Sequence, residues 1–160
     1  MTTIAWDGKT LASDSRVTEG GCLVSDNYNK IRTFKYKNKK HLVGIAGSMA
    51  QGERFFVWLK QNGFDLDDPP RLEDMEALVV TKDGVWCYEG SSQAYVTLTG
   101  EVAAIGSGSY IALAGMRIGL SSEESVLLAS QVDLGTNNNI RTLTFASSPR
   151  AKAKSSPTSK

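Results

Sequence analysis

The sequence predicts an α+β protein arranged as a four-layer α/β/β/α sandwich of two antiparallel sheets. Three observations carry that expectation. Strand-like and helix-like segments follow the order strands, helix, strands, two helices, strand, which departs from the alternation of a parallel sheet and suits antiparallel sheets with helices outside. With 160 residues and 41% hydrophobic composition, the chain can bury one sizeable core. Two stretches, LVGIAGSMA at 42–50 and VAAIGSGSYIA at 102–112, each run from an apolar strand through Gly and Ser into a helical pattern, a weak echo of two similar halves.

Taken in order, residues 3–6 and 10–13 flank Asp7-Gly8 and read as a hairpin. Residues 30–36 and 41–46 flank a second turn in which Lys35, Lys37, Lys39 and Lys40 alternate around Asn38 with their charges toward water. Met49, Phe55, Phe56 and Leu59 then recur at helical spacing up to Asn62-Gly63, a glycine stop. DLDDPPRLED at 65–74 is an acidic prolyl connector, and 75–90 reads as a hairpin around Lys82-Asp83-Gly84. A further strand pair is expected at 95–98 and 101–105, joined by Thr99-Gly100. Helices follow at 110–118, ended by Gly119, and at 123–134, ended by Gly135; the second opens on Ser121-Ser122-Glu123-Glu124, a capping box. A last strand covers 140–145.

The folded domain is expected to span 1–146. SSPRAKAKSSPTSK at 147–160 has no large apolar residue, two prolines and many serines, so it reads as a disordered, solvated basic Ser/Lys-rich tail. Of the 18 Lys and Arg residues, Arg150, Lys152, Lys154 and Lys160 lie there, leaving 14 against 17 acidic residues elsewhere. A nucleic-acid tether is the weaker alternative to a solvated tail, and no nucleic-acid partner is expected. No apolar run is long enough to cross a bilayer, and the N-terminus lacks the pattern of a secretion signal, so a membrane partner is not expected either. Cys22 and Cys87 stand apart with no CxxC and no His partner, as structural thiols of a reducing compartment. His41, the sole histidine, begins an apolar run and reads as a strand residue.

Chemistry is therefore left to hydroxyls, carboxylates, amines and backbone. GSGSYIA has Ile111 at the third position of a GxGxxG pattern and no βαβ setting, and AGSMA lacks a phosphate-loop lysine. Both read equally well as tight strand-to-helix turns, whose exposed N–H groups can also meet negative charge. The first hairpin would carry Asp14 back beside Thr2. If Met1 is removed, the Thr2 amine, with a reference pKa of about 7.7–8.0, can act as base for its own hydroxyl. A nearby Lys30 would depress that pKa and Asp14 would orient Lys30. On these residues alone an ordinary first strand is the simpler account of MTT.

Four motifs in order resemble the N-terminal-nucleophile (Ntn) threonine peptidases, the proteasome β-subunit and HslV-like family, over nearly the whole folded region. TTIAWDGKTLASDSRVTEG resembles the family's opening, and Asp14 precedes Lys30 by sixteen residues as in the family. VGIAGSMAQ is similar to the strand-AGG/AGS-helix segment, AIGSGSYIA to the IGSG segment, and DLGTNNNIRTLTF to the stretch before the last strand. The resemblance implies an Ntn-hydrolase fold and a threonine-type endopeptidase: Thr2 as nucleophile, Gly47 in the oxyanion hole, and Asp14, Lys30, Ser107, Asp133 and Thr136 tuning the amine. It implies Val17, Thr18, Tyr28, Ile45 and Met49 along the substrate, with an apolar side chain preferred before the cut. It requires no cofactor and implies a monovalent cation such as Na⁺ on backbone carbonyls of Ser130, Asp133 and Thr136.

The implied partners are a peptide or unfolded protein substrate, further copies in a homo-oligomeric ring, and an ATP-dependent unfoldase. The implied location is the cytoplasm of a bacterium or phage-infected host. The short stretch between Gly63 and Met75 departs from proteasome β subunits and implies one helical layer reduced to a single helix. Two other readings share the pattern, a catalytically silent scaffold and an Ntn amidase acting on a small amide.

Overall fold

A computed structural model describes residues 2–63, 68–98 and 102–146. Its first sheet has the order β10-β1-β2-β11, from β1 (Ile4–Trp6), β2 (Thr10–Ser13), β10 (Ala103–Ile105) and β11 (Arg141–Thr144). The larger sheet runs β5 (Ile31–Tyr36), β6 (Lys39–Gly47), β7 (Met75–Thr81), β8 (Gly84–Glu89) and β9 (Ala94–Leu98) in sequence order, every pair antiparallel. α1 (Met49–Asn62) packs on the outer face of the larger sheet, while α2 (Ser109–Arg117) and α3 (Ser122–Ser130) cover the outer face of the first.

Two-residue periodicity decides which side chain enters which layer. On β1 and β2, Ile4, Trp6 and Leu11 point between the sheets, where they meet Leu42, Leu78, Val80 and Ile105. Ala5 and Ala12 point outward, and their small size lets Ala112, Met116 and Val126 of the two helices sit close. On β7 the alternation sends Leu78 and Val80 to the inter-sheet core and Ala77 and Val79 toward Phe55, Phe56 and Leu59 of α1. These layers are the expected four-layer sandwich. Among the described residues α1 is the sole helix over the larger sheet, which agrees with one reduced helical layer.

The lysine-rich turn is a two-residue hairpin, Tyr36 opposite Lys39, with Lys37 and Asn38 both in the left-handed region. His41 is buried on β6 and stacks on Phe34 with ring centroids 4.7 Å apart. The capping box at Ser121 and Glu124 forms in full.

Three features differ from expectation. β9 and β10 do not pair with each other: β9 closes the larger sheet on β8, and β10 lies on β1 with Ile105 opposite Ile4. The reason is burial, since Ala103 and Ile105 reach the inter-sheet core only from the edge beside β1; the turn expected at Thr99-Gly100 lies outside the described residues. α3 ends at Ser130, four residues early, because the N–H groups of Gln131 and Val132 turn back to Leu128 and Ala129 and redirect the chain toward the N-terminal strand. A small hairpin, β3 (Val17–Glu19) and β4 (Cys22–Ser25), was missing from the sequence reading. Its Gly20-Gly21 turn is a hairpin signal, masked by the absence of alternation in Cys22, Leu23 and Val24, all exposed. The basic tail at 147–160 lies outside the described residues.

The two thiols occupy opposite environments. Cys22 is exposed on the small hairpin, whereas Cys87 on β8 packs against the inter-sheet core and burial pushes its thiol up to about 11. Alkylation of the native protein at pH 8 is therefore expected to add one label, at Cys22, with Cys87 reacting only after unfolding; peptide mapping by mass spectrometry reads the outcome.

Candidate active site

The first hairpin brings Asp14 back against the start of β1, as its register requires. Ile4 lies opposite Ser13, so the next residue along β2, Asp14, meets Thr3. The main chains join through Asp14 N–H to the Thr3 carbonyl at 3.2 Å, and the Thr3 N–H donates to Asp14 Oδ1 at 3.0 Å. Lys30 Nζ donates to the same oxygen at 2.8 Å. Asp14 Oδ2 accepts the main-chain N–H groups of Arg16 at 2.8 Å and Asn137 at 3.3 Å. The carboxylate is fully buried, Lys30 is 3% exposed, and four donors saturate the buried charge. Burial pushes the Lys30 ammonium below its ordinary value, while the charges of Asp14 and Asp133 pull it back up.

On the other side of Thr2, the turn after β10 supplies a second cradle. Thr2 N donates to Ser107 Oγ at 3.1 Å, and Ser107 Oγ donates to Asp133 Oδ2 at 2.7 Å. Thr136 Oγ1 donates to the same carboxylate oxygen at 2.5 Å and accepts from Thr3 Oγ1 at 2.6 Å. Gly108 N–H reaches the Thr2 carbonyl at 3.3 Å. Gly106 has φ +91°, and a Cβ there would lie 2.1 Å from the Thr2 carbonyl oxygen. The glycines of the GSG run thus let the first strand lie directly on the turn. Gly106 N–H also donates to Glu76 Oε2 of β7 at 3.3 Å, which ties this turn to the larger sheet.

Gly47 ends β6 immediately before α1, with φ +92° and Asp74 so close that a Cβ would stand 2.2 Å from its carbonyl oxygen. Ser48 N–H donates to the Asp74 carbonyl at 2.7 Å, and Ser48 Oγ caps α1 by accepting from Gln51 N. The first-turn N–H groups of a 14-residue helix, with the positive end of its dipole, therefore face the same region as Thr2.

A cavity of about 410 Å³ opens beside Thr2, Lys30 and Gly47, and Val17, Thr18, Tyr28, Ile45 and Met49 all line it. The missed hairpin forms one wall through Val17, Thr18 and Glu19. Tyr28 donates its hydroxyl to Glu53 Oε1 at 2.5 Å, and Glu53 pairs with Arg32, whose guanidinium lies over Phe56. Burial, then the Glu53 carboxylate, push the Tyr28 phenol up to about 12. A second cavity of about 650 Å³ shares Thr2, Ala46 and Gly47 with the first. The two cavities therefore meet at Thr2.

No family model matches the chain. Curated relatives do. The ATP-dependent protease subunit HslV of Campylobacter curvus is 27% identical over 170 residues, spanning 88% of this chain and 93% of that protein. The corresponding subunit of Sulfurimonas denitrificans is 28% identical, spanning 90% and 94%. The chain is thus similar over most of its length to HslV protease subunits. Solved structures share the fold: eukaryotic HslV from Trypanosoma brucei superposes with TM-score 0.68 at 20% identity, over 89% of this chain and 97% of that one. Thiobacillus denitrificans BPH in complex with epoxomicin superposes with TM-score 0.63 at 19% identity, over 92% and 99%.

Of the residues singled out from sequence, Thr2, Asp14, Lys30, Ser107, Asp133 and Thr136 form one hydrogen-bonded cluster, with Gly47 across the cavity. Ser130 ends α3, and Asp133 and Thr136 close the next turn through Thr136 N–H to the Asp133 carbonyl at 3.1 Å. Carbonyls at a helix end lack intrahelical donors, although that of Asp133 already accepts the Thr136 N–H. Sequence reasoning missed Thr3, which bridges the two cradles, and Arg16 and Asn137, which hold Asp14. Arg16 sits inside the matched opening and was within reach of the motif; Asn137, in the run TNNNI, carries no signal.

The two partners of the buried ion pair differ in what they leave behind. Without Asp14, Lys30 Nζ loses its carboxylate in a dry site, so Asp14→Ala is expected to cost about 3–5 kcal/mol. Lys30→Met still leaves three main-chain N–H donors on Asp14 and is expected to cost about 1–3 kcal/mol. Urea denaturation at pH 7 ranks the two.

Proposed function

We propose that this chain is a threonine-type endopeptidase whose nucleophile is the Thr2 hydroxyl, released for catalysis when Met1 is cleaved. The observation that carries the reading is the convergence on Thr2 of two separately built polar cradles, Ser107-Asp133-Thr136 on one side and Asp14-Lys30 on the other. A silent scaffold has no use for a fully buried Asp-Lys pair, which is costly to desolvate.

In the first step the Thr2 amine takes the hydroxyl proton as Oγ1 attacks the scissile carbonyl. The Gly47 N–H and the start of α1 meet the oxyanion. The ammonium then gives its proton to the departing amine, leaving an ester on Thr2. Water, deprotonated by the same amine, cleaves the ester and restores the hydroxyl. Lys30 keeps the amine neutral by charge repulsion, and Ser107 orients it by accepting one N–H while giving its own proton to Asp133. The substrate is an unfolded polypeptide bound as an added strand along Thr18 and the β3 edge, with an apolar side chain among Val17, Ile45 and Met49.

The relatives are named ATP-dependent protease subunits. By the same reading this chain works in a homo-oligomeric ring fed by an ATP-dependent unfoldase, in the cytoplasm. No helix among the described residues is long and apolar enough to cross a membrane. A monovalent cation on the carbonyls of Ser130, Asp133 and Thr136 would stiffen the turn that presents Asp133, and the reaction needs no other cofactor.

Intact mass before and after a threonine-directed covalent inhibitor is expected to show loss of Met1 and one adduct per chain. Thr2→Ala should abolish both the adduct and cleavage of peptides with an apolar residue before the cut, and Ser107→Ala should lower kcat by about a hundredfold. An active Thr2→Ala protein would refute the mechanism. Because the amine must be neutral, kcat/KM should rise as pH increases through a midpoint below the ordinary 7.7–8.0 range.

A further inference from the structure

Asn137 is 7% exposed and every polar atom of its side chain is engaged. Oδ1 accepts the N–H groups of Ser15 at 2.9 Å and Asn139 at 3.3 Å. Nδ2 donates to the Asp26 carbonyl at 3.1 Å and to Asp26 Oδ1 at 3.0 Å. Its own main-chain N–H donates to Asp14 Oδ2. The residue therefore spans three separate segments: the Asp14-Ser15-Arg16 corner after β2, the Asp26 loop after β4, and the turn carrying Asp133 and Thr136.

No other side chain among those placed at the site has this reach. Ser15, one side of the bracket, directly follows Asp14. Asp26, the other side, receives Arg16 Nε at 2.8 Å, and Arg16 Nη1 also meets the Leu134 carbonyl, next to Asp133. Asn137 and Arg16 together hold the Asp26 carboxyl below the usual carboxylate range, the Arg16 bond contributing most. The arrangement closes a ring of polar contacts around the back of the Asp14-Lys30 pair.

We infer that Asn137 is a positioning residue for the reaction: by bracketing the Ser15, Asp26 and Asp133-Thr136 segments, it fixes the Asp14 carboxylate and, through it, the place of the Lys30 ammonium beside Thr2. The inference rests on the peptidase reading above. Asn137 touches neither Thr2 nor the cavity, so it acts through the segments it holds, Asp14 foremost. Its loss leaves Asp14 free to shift and Lys30 free to withdraw. The charged groups around the amine are Lys30 and Arg16 from the Asp14 side, Asp14 itself, Asp133 from the turn after α3, Glu19 of β3 across the first cavity, and Glu73, Asp74, Glu76 and Glu89 along the second. Of the two cations, Arg16 is paired with Asp26 and Lys30 is the one held by Asp14, so withdrawal of Lys30 raises the pKa of the amine.

The test compares Met1-processed full-length wild type, Asn137→Ala and Asn138→Ala, the last altering an exposed neighbour outside the network. Cleavage of one apolar-site peptide is followed as kcat and KM against pH, with inhibitor labelling rates measured on the same samples. Asn137→Ala is expected to lower kcat by about tenfold with KM changed less than about twofold. It should also move the acid limb of kcat/KM and of labelling upward by about half a pH unit or more, while Asn138→Ala matches wild type. If Asn137→Ala does not fold, Asp26→Ala, at a half-exposed residue, removes one of the bracket's anchors and should shift both limbs the same way by a smaller amount. An acid limb unchanged in the folded variant, with only a lower melting temperature, overturns the inference. A wild type that neither cleaves nor labels would instead refute the peptidase reading on which it stands.

Discussion

The structure is organised around a buried ion pair between Asp14 and Lys30. Taking two charges out of water costs several kcal/mol each, and their mutual attraction repays it only when the remaining lone pairs and protons are also met. Here the carboxylate meets Lys30 and three main-chain N–H groups, from Thr3, Arg16 and Asn137. Each donor comes from a different part of the fold: the first strand, the corner after β2, the approach to β5, and the segment before β11. Satisfying one carboxylate thus dictates how four segments meet. Thr2 is held where it is because Thr3, its neighbour, is one of those donors.

The sandwich makes that convergence achievable. Apolar alternation fixes β1 and β2 to the inter-sheet core through Ile4, Trp6 and Leu11, leaving the ends of these strands at one edge of the sandwich. The same edge receives the end of β6 and the turn after β10, which are the two Gly-Ser junctions noted as an echo in the sequence. Their roles differ. The first, at Gly47, turns a strand into a helix whose free N–H groups face the cavity; the second, at Gly106 to Ser107, presses backbone against Thr2 and offers it a hydroxyl. In the proposed mechanism one recurring local motif supplies both the oxyanion side and the amine side of the site.

Much of this was legible in the sequence because it rests on local periodicity or on close spacing. The hairpin that returns Asp14 to Thr3, the lysine turn, the capping box at Ser121 and the outer helices follow from alternation, turn residues and caps. What was not legible depends on distant partners. β10 had equal local reason to pair with β9, and only burial of Ile105 against Ile4 places it in the other sheet. The early end of α3 has no glycine or proline at Ser130 to announce it; there the Gln131 and Val132 N–H groups turn back to Leu128 and Ala129. The β3–β4 hairpin exposes Leu23 and Val24, so its strands lack the alternation by which strands are recognised.

The same contrast explains which site residues the motifs exposed and which they did not. In the proposed mechanism Thr2, Asp14, Lys30 and Ser107 act through their side chains, and Gly47 is held to glycine by its positive φ and the close Asp74 carbonyl, so each leaves a readable pattern. Arg16 and Asn137 contribute to Asp14 through main-chain N–H groups, which every residue except proline possesses. Their side chains then serve a different task, binding Asp26 and Ser15 to hold that main chain in place. A site of this kind is written in the sequence at the atoms that react, and only in the fold at the atoms that keep them there.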